Sequence, residues 1–187
     1  MLGQRWEPHA RVALGTVEPR KNLTAAAEIV AALRAADFPE ATLDVVGRDG
    51  WGGESDRLRG LPGVTLHGYL PIERIREIVD AADIFISTSH AEGLGLPLLE
   101  AQYSALPIIA PDQPVFREAL GASGLFVVPS QPRDAAAQIA AMIRRDGARR
   151  AAAEASLANI ERWNGNARAD HAAVIEWLLQ LSAELGK

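Results

Sequence analysis

Six short apolar runs, at residues 11–14, 42–46, 64–67, 83–88, 107–110 and 125–128, alternate along this chain with stretches of helical periodicity. The first three stop at a glycine, Gly15, Gly47 and Gly68, and the fourth runs into a turn holding Gly93 and Gly95. Runs with little polar alternation suit strands covered on both faces. Strand and helix in strict alternation imply parallel pairing, because each helical crossover returns the chain to the same edge of the sheet. The expected fold is α/β: a Rossmann-like, doubly wound parallel sheet of about six strands, a single domain with C-terminal helices. It should occupy residues 11–187, after an N-terminal extension at residues 1–10.

Helices are expected from Leu23 to just before Phe38-Pro39, and at residues 54–59, 71–82, 96–104, 114–120 and 132–145, with two more at 148–163 and 166–185. Asn22 reads as the N-cap of the first. In a sheet of this kind the loops leaving the strand carboxyl ends converge near the topological switch point, where ligands bind. The turns at Gly15, Gly47, Gly68 and Gly93 should therefore share one cleft. That cleft would gather Arg20, Lys21, Arg48, Tyr69, Glu92 and Glu100.

The sharpest stretch in it is residues 89–100, Ser-His-Ala-Glu-Gly-Leu-Gly-Leu-Pro-Leu-Leu-Glu. Gly93 and Gly95 let backbone approach a ligand closely, and Pro97 suits a first-turn position, where its missing N–H costs nothing. Free N–H groups at a helix start favour an anion. Glu92 and Glu100 add acceptors for hydroxyls, so the pattern suits a ligand carrying both phosphate and hydroxyl groups.

Charge and composition narrow the partners. The formal net charge is −5, which argues against a nucleic-acid surface. Cysteine is absent, so disulfide and thiolate chemistry do not enter. No run approaches the length of a membrane span and the start lacks a secretory core, so a cytoplasmic protein is expected. Of 19 basic residues only Lys21 and Lys187 are lysine, which singles out Lys21. His9, His67 and His171 show no metal-ligand spacing with carboxylates, so no metal site is expected. His90 reads as a turn residue, Trp51 as a loop anchor or a contact outside the chain, and Trp163 and Trp177 as packing residues. Asp112, Glu118 and the pairs Arg144-Arg145 and Arg149-Arg150 read as surface charges.

Residues 14–23, Leu-Gly-Thr-Val-Glu-Pro-Arg-Lys-Asn-Leu, and 91–101, Ala-Glu-Gly-Leu-Gly-Leu-Pro-Leu-Leu-Glu-Ala, resemble two blocks of the C-terminal, donor-binding half of retaining glycosyltransferases of family 4, group 1, which have the GT-B fold. Val45-Val46-Gly47, the run Val-Thr-Leu-His-Gly-Tyr-Leu at residues 64–70 and Ala82-Asp83-Ile84 resemble intervening blocks in the same order, and the likeness extends over residues 11–145. By this resemblance Lys21 holds the diphosphate of a nucleoside diphosphate sugar and Glu92 lies by the transferred sugar. These two are the catalytic candidates. The backbone of Gly93, Leu94 and Gly95 meets phosphate and sugar, Glu100 takes ribose hydroxyls, and Gly47, Arg48, Tyr69 and Leu70 flank the base, with Arg20 as a second cation.

The resemblance also implies hexosyl transfer, with GDP-mannose as the first expectation for the donor, to a glycan or polysaccharide acceptor, without metal or cofactor. Thr16 stands where many members have arginine, and Ala105 where glycine is frequent. The N-terminal acceptor half of the GT-B fold is missing from these residues. The chain alone should bind donor and transfer sugar weakly or not at all, needing that half or a partner subunit. Any membrane association would be peripheral and belong to the full enzyme. A non-catalytic nucleotide-sugar-binding or assembly module is the alternative, and a sugar-nucleotide epimerase the rival within enzymes. A pyridoxal-dependent phosphorylase lacks a spare lysine, and Gly15-Thr16-Val17-Glu18 is not the G-x-G-x-x-G turn of a dehydrogenase.

Overall fold

A computed structural model of the chain describes residue 6 and residues 8–185, with side chains as far as residue 183. The element order is β1 (Ala10–Leu14), α1 (Leu23–Ala36), β2 (Thr42–Val46), α2 (Glu54–Leu58), β3 (Val64–Gly68), α3 (Ile72–Ala81), β4 (Ile84–Ile86), α4 (Leu96–Tyr103), β5 (Ile108–Pro111), α5 (Pro114–Leu120), β6 (Gly124–Val127), α6 (Pro132–Ile143) and α7 (Ala148–Leu185). The six strands form one parallel sheet in the order β3-β2-β1-β4-β5-β6. The sheet and its covering helices match the doubly wound expectation, and β1 starts one residue before the expected boundary.

Alternation along the strands divides the core in two. Ala13, Leu43, Val45, Ile84, Ile86 and Ile109 point to the side covered by α1 and α6, where Ile29, Leu33, Ile139 and Ile143 meet them. Val12, Val46, Phe85, Ile108 and Ala110 point to the other side, against Val79, Leu98, Phe116 and Leu120 of α3, α4 and α5. Burial on both faces is why the strands read as nearly continuous apolar runs. The strand order reverses between β1 and β4, so the loops after these two strands diverge and leave a crevice between them.

Two expectations need correction. The C-terminal region is one helix of 38 residues, not two. Gly165 costs a helix interior only about 1 kcal/mol, and contacts on its N-terminal side hold the preceding turns. Ser156 Oγ donates to Leu106 O (2.9 Å), Asn159 Nδ2 to Gln102 Oε1 (2.7 Å) and Ala119 O (2.9 Å), and Asn164 Nδ2 to Tyr103 Oη (3.1 Å). From Asn166 to Ala183 every residue is exposed, so this part of α7 projects from the domain. Trp177 is accordingly 59% exposed rather than packed, and it shares the projection with Val174, Ile175, Leu178, Leu179 and Leu181. Trp163 is half-buried, under the Arg162 guanidinium. No described helix is long and apolar enough to cross a membrane.

Candidate functional site

The loop after β1 is zipped onto the loop after β2. Gly15 N donates to Val46 O (2.9 Å), Val17 N to Arg48 O (2.9 Å) and Gly50 N to Val17 O (3.1 Å). The approach is so close that a Cβ on Gly47 would lie 1.9 Å from Gly15 O. Steric room, not a left-handed backbone, therefore demands glycine at position 47. The same zipper fixes residues 16–22, which end in a 3-10 turn, Pro19–Lys21. Arg20 and Lys21 are thus held in a turn that precedes α1.

Asn22 occupies the N-cap position with φ 49° and ψ 41°, a left-handed conformation, and its side chain makes no capping bond. Its Nδ2 instead donates to Thr88 O (3.2 Å), while the buried Thr88 hydroxyl donates to Asn22 O (2.8 Å) and His90 N donates to Arg20 O (2.8 Å). These bonds tie the loop after β1 to the loop after β4 across the switch point. His90 meets the site through its backbone, and its ring is on an exposed residue.

The tie brings Lys21 and Glu92 together. Lys21 Nζ donates to Glu92 Oε1 at 2.7 Å, Ser89 Oγ donates to the same oxygen at 2.7 Å, and Arg20 Nη1 donates to Oε2 at 3.1 Å. Arg20 also donates to Ala91 O (3.0 Å) and pairs through Nη2 with Glu18 (2.7 Å). The side chains of Lys21 and Glu92 are each only 11% exposed. Burial by itself would raise the Glu92 pKa. The hydrogen bonds from Lys21 and Ser89 and the charges of Lys21 and Arg20 outweigh it and hold the carboxyl below its ordinary value. Glu92 is therefore ionised at neutral pH.

Lys21, Ser89, Glu92 and Gly95 line a crevice of about 20 Å³ at the switch point. Gly95 opens α4 with φ 75° and ψ 35°, and Pro97 sits in the first turn. Gly93 and Leu94 lie exposed beside the pair, and Glu100 is exposed on α4. At the β2 and β3 edge the Arg48 guanidinium lies 5.9 Å from the centre of the Tyr69 ring, a cation–π distance, with Tyr69 77% exposed. Leu70 packs part-buried on the α3 side of the core, leaving its backbone at the edge. Trp51 is 67% exposed at the tip of the β2 loop, which rules out the role of loop anchor.

The structure thus forms two clusters from the expected residues: Arg20, Lys21 and Glu92 at the switch point, and Arg48 with Tyr69 on the β2–β3 side. Glu100 belongs to neither by direct contact. Sequence reasoning passed over Glu18, Thr88 and Ser89 as site residues. Ser89 had one readable signal, its spacing three residues before Glu92 at the end of a strand. Among the described residues, no group of three or more His, Asp or Glu side chains is placed to hold a metal ion.

A sheet of this order, with a cation and carboxylate cluster at its switch point, has the fold of one half of a GT-B glycosyltransferase. The C-terminal domain of the group 1 family protein LpcC from Francisella tularensis superposes with a TM-score of 0.68 at 21% identity, covering 82% of this chain and 85% of that one. WaaG, a glycosyltransferase involved in lipopolysaccharide biosynthesis, superposes with a TM-score of 0.66 at 19% identity, covering 83% of this chain and 43% of that one. The chain belongs to the group 1 glycosyltransferases, whose family model, described as glycosyl transferases group 1, matches residues 9–145. It is 29% identical over 166 residues to the O-antigen chain mannosyltransferase B of Escherichia coli, which covers 85% of this chain and 43% of that protein. It is 33% identical over 115 residues to the serotype-specific mannosyltransferase WbdA of the same organism, covering 57% of this chain and 14% of that protein. The chain thus spans less than half the length of these relatives.

Proposed function

We propose that this domain binds a nucleoside diphosphate sugar, the donor for a retaining, metal-independent hexosyl transfer to a glycan or polysaccharide acceptor. The observation that carries the reading is the Lys21, Arg20, Ser89 and Glu92 cluster at the β1–β4 switch point, inside the matched segment of a glycosyltransferase family. Mannosyl transfer from GDP-mannose is the first choice, because the two Escherichia coli relatives are mannosyltransferases.

In this reading Lys21 holds the diphosphate and Glu92 accepts hydrogen bonds from the sugar. The acceptor hydroxyl bonds to the anomeric carbon as the bond from that carbon to the β-phosphate oxygen breaks. The hydroxyl proton passes to the departing phosphate, so no protein nucleophile takes part. The charge that builds on the phosphates falls where Lys21, Arg20 and backbone N–H groups supply positive potential. Glu100, on the same helix as the glycine turn, takes ribose hydroxyls, and the Tyr69 and Arg48 pair flanks the base.

The test is calorimetric titration of the protein with GDP, UDP, ADP and their hexose derivatives, repeated with Lys21→Ala and Glu100→Ala. Binding of one base class, weakened about tenfold or more by each substitution, supports the reading. Absence of binding to all of them overturns it. Sugar transfer on addition of an acceptor half distinguishes a transferase from a non-catalytic binding module.

A further inference from the structure

We propose that Glu92 discriminates between a nucleoside diphosphate sugar and a bare nucleoside diphosphate by competing, as an internal anion, for the cations of the site. This rests on the donor-binding reading and assigns Glu92 a task beyond touching the sugar.

In the unliganded chain the Glu92 carboxylate accepts from Lys21 Nζ (2.7 Å), Ser89 Oγ (2.7 Å) and Arg20 Nη1 (3.1 Å), donors that a phosphoryl oxygen would also seek. With Glu18 on Arg20, the cluster pairs two carboxylates with two cations, so its charge is already balanced. For a diphosphate to take Lys21 Nζ and Ser89 Oγ as its own donors, the Glu92 carboxylate, whose Oε1 holds both at 2.7 Å, must swing away from them.

Swinging away leaves an ionised carboxylate without its strongest donors, and a ligand must supply replacements. The hydroxyls of a hexose next to the β-phosphate are such donors. A nucleoside diphosphate without its sugar offers none there. The sugar-bearing ligand thus compensates the carboxylate it displaces, whereas the bare diphosphate meets Glu92 returning to Lys21. The same competition favours loss of the spent nucleotide after transfer.

The test compares wild type with Glu92→Gln by calorimetry at neutral pH, using GDP, UDP, ADP, their hexose derivatives and inorganic pyrophosphate as ligands. The amide removes the competing charge while keeping the shape. Glu92→Gln is expected to bind the bare diphosphate about fivefold or more tightly than wild type, and to lose most of the preference for the sugar-bearing form. On a Lys21→Met background the same change should give no gain. Glu92→Ala, which removes the competing charge together with the side chain and leaves Lys21, Ser89 and Arg20 in place, should also tighten the bare diphosphate by about fivefold, so the outcome does not hang on one variant. Wild-type binding with equal or weaker binding of bare diphosphate by both single variants overturns this inference and leaves the donor reading intact. A gain that persists without Lys21 also overturns it. Binding of none of these ligands by wild type or variant overturns the donor reading, and this inference with it.

Discussion

The backbones of Gly47 and Gly15 approach so closely that a Cβ on Gly47 would sit 1.9 Å from the Gly15 carbonyl oxygen. Two loops from neighbouring strands are in effect one rigid unit, and Lys21 is carried on it. Gly47→Ala should therefore force the backbones apart, costing about 1–3 kcal/mol or more. Urea titration reads the stability loss. Weaker diphosphate binding, with the Lys21 side chain itself unchanged, reads the displacement of the turn. An alanine variant as stable as wild type would show that the loops separate freely.

Glu92 couples the site to acid stability. Its carboxyl titrates below its ordinary value of 4.5 in the folded chain, so its contribution is fully present above that pH and is lost as pH falls through the lower folded value. Urea unfolding followed between pH 3 and pH 6 should show stability falling on the acid side. The fall should be shallower in Glu92→Gln, which has no proton to take up. Identical pH slopes in the two proteins would remove Glu92 from the acid response.

Arg11, on β1 far from the cleft, is only 1% exposed. Its Nη1 donates to His9 O (2.8 Å), while Nε and Nη2 have no hydrogen-bond partner among the described residues. Burial lowers its pKa to about 10, and the nearby Asp83 charge offsets that only in part. The protonated side chain is thus less favourable in the folded state than in the unfolded chain. Stability should rise as pH climbs above about 10, so the charge is a cost at neutral pH. Arg11→Met is expected to be neutral or stabilising by about 1–3 kcal/mol. Asp83 stays satisfied, since it accepts from His9 N (2.8 Å) and Ala10 N (3.2 Å). A drop in Tm of several degrees would contradict this.

Asn159 clasps α7 to the domain. Its Nδ2 serves Gln102 Oε1 (2.7 Å) and Ala119 O (2.9 Å), and its Oδ1 accepts from Arg162 Nη2 (2.7 Å). Asn159→Leu leaves Oε1 of the fully buried Gln102 without its donor and should cost about 1–3 kcal/mol. Hydrogen exchange should quicken through the docked part of α7 and not at the β1–β4 crevice. Unchanged exchange in α7 would place the clasp elsewhere.

Much of this was legible in one dimension, and the reason is local. The alternation of apolar runs with helical periods specified the doubly wound sheet, because strands buried on both faces cannot hide their composition. The glycines ending the first strands and the turn at Gly93 to Pro97 marked the strand carboxyl edge on which the loops gather. Local pattern failed at the helix after Ala148, where Asn164-Gly165-Asn166 looks like a break. Side-chain bonds from Ser156, Asn159 and Asn164 to the domain outweighed that small propensity cost.

Only the tertiary structure decided the state of the site. Lys21 and Glu92 are 71 positions apart, and nothing in the spacing of either turn says that they touch. The strand order sets β1 beside β4, and the Asn22, Thr88 and His90 bonds then fix the two loops so that the cation and carboxylate close on each other. The sequence by itself determined that Arg20, Lys21 and Glu92 lie on loops leaving the strand carboxyl ends. Whether the cations and the carboxylate stand apart or hold each other was settled by the packing of two loops across the sheet, since hydrogen-bond distance is a property of three dimensions.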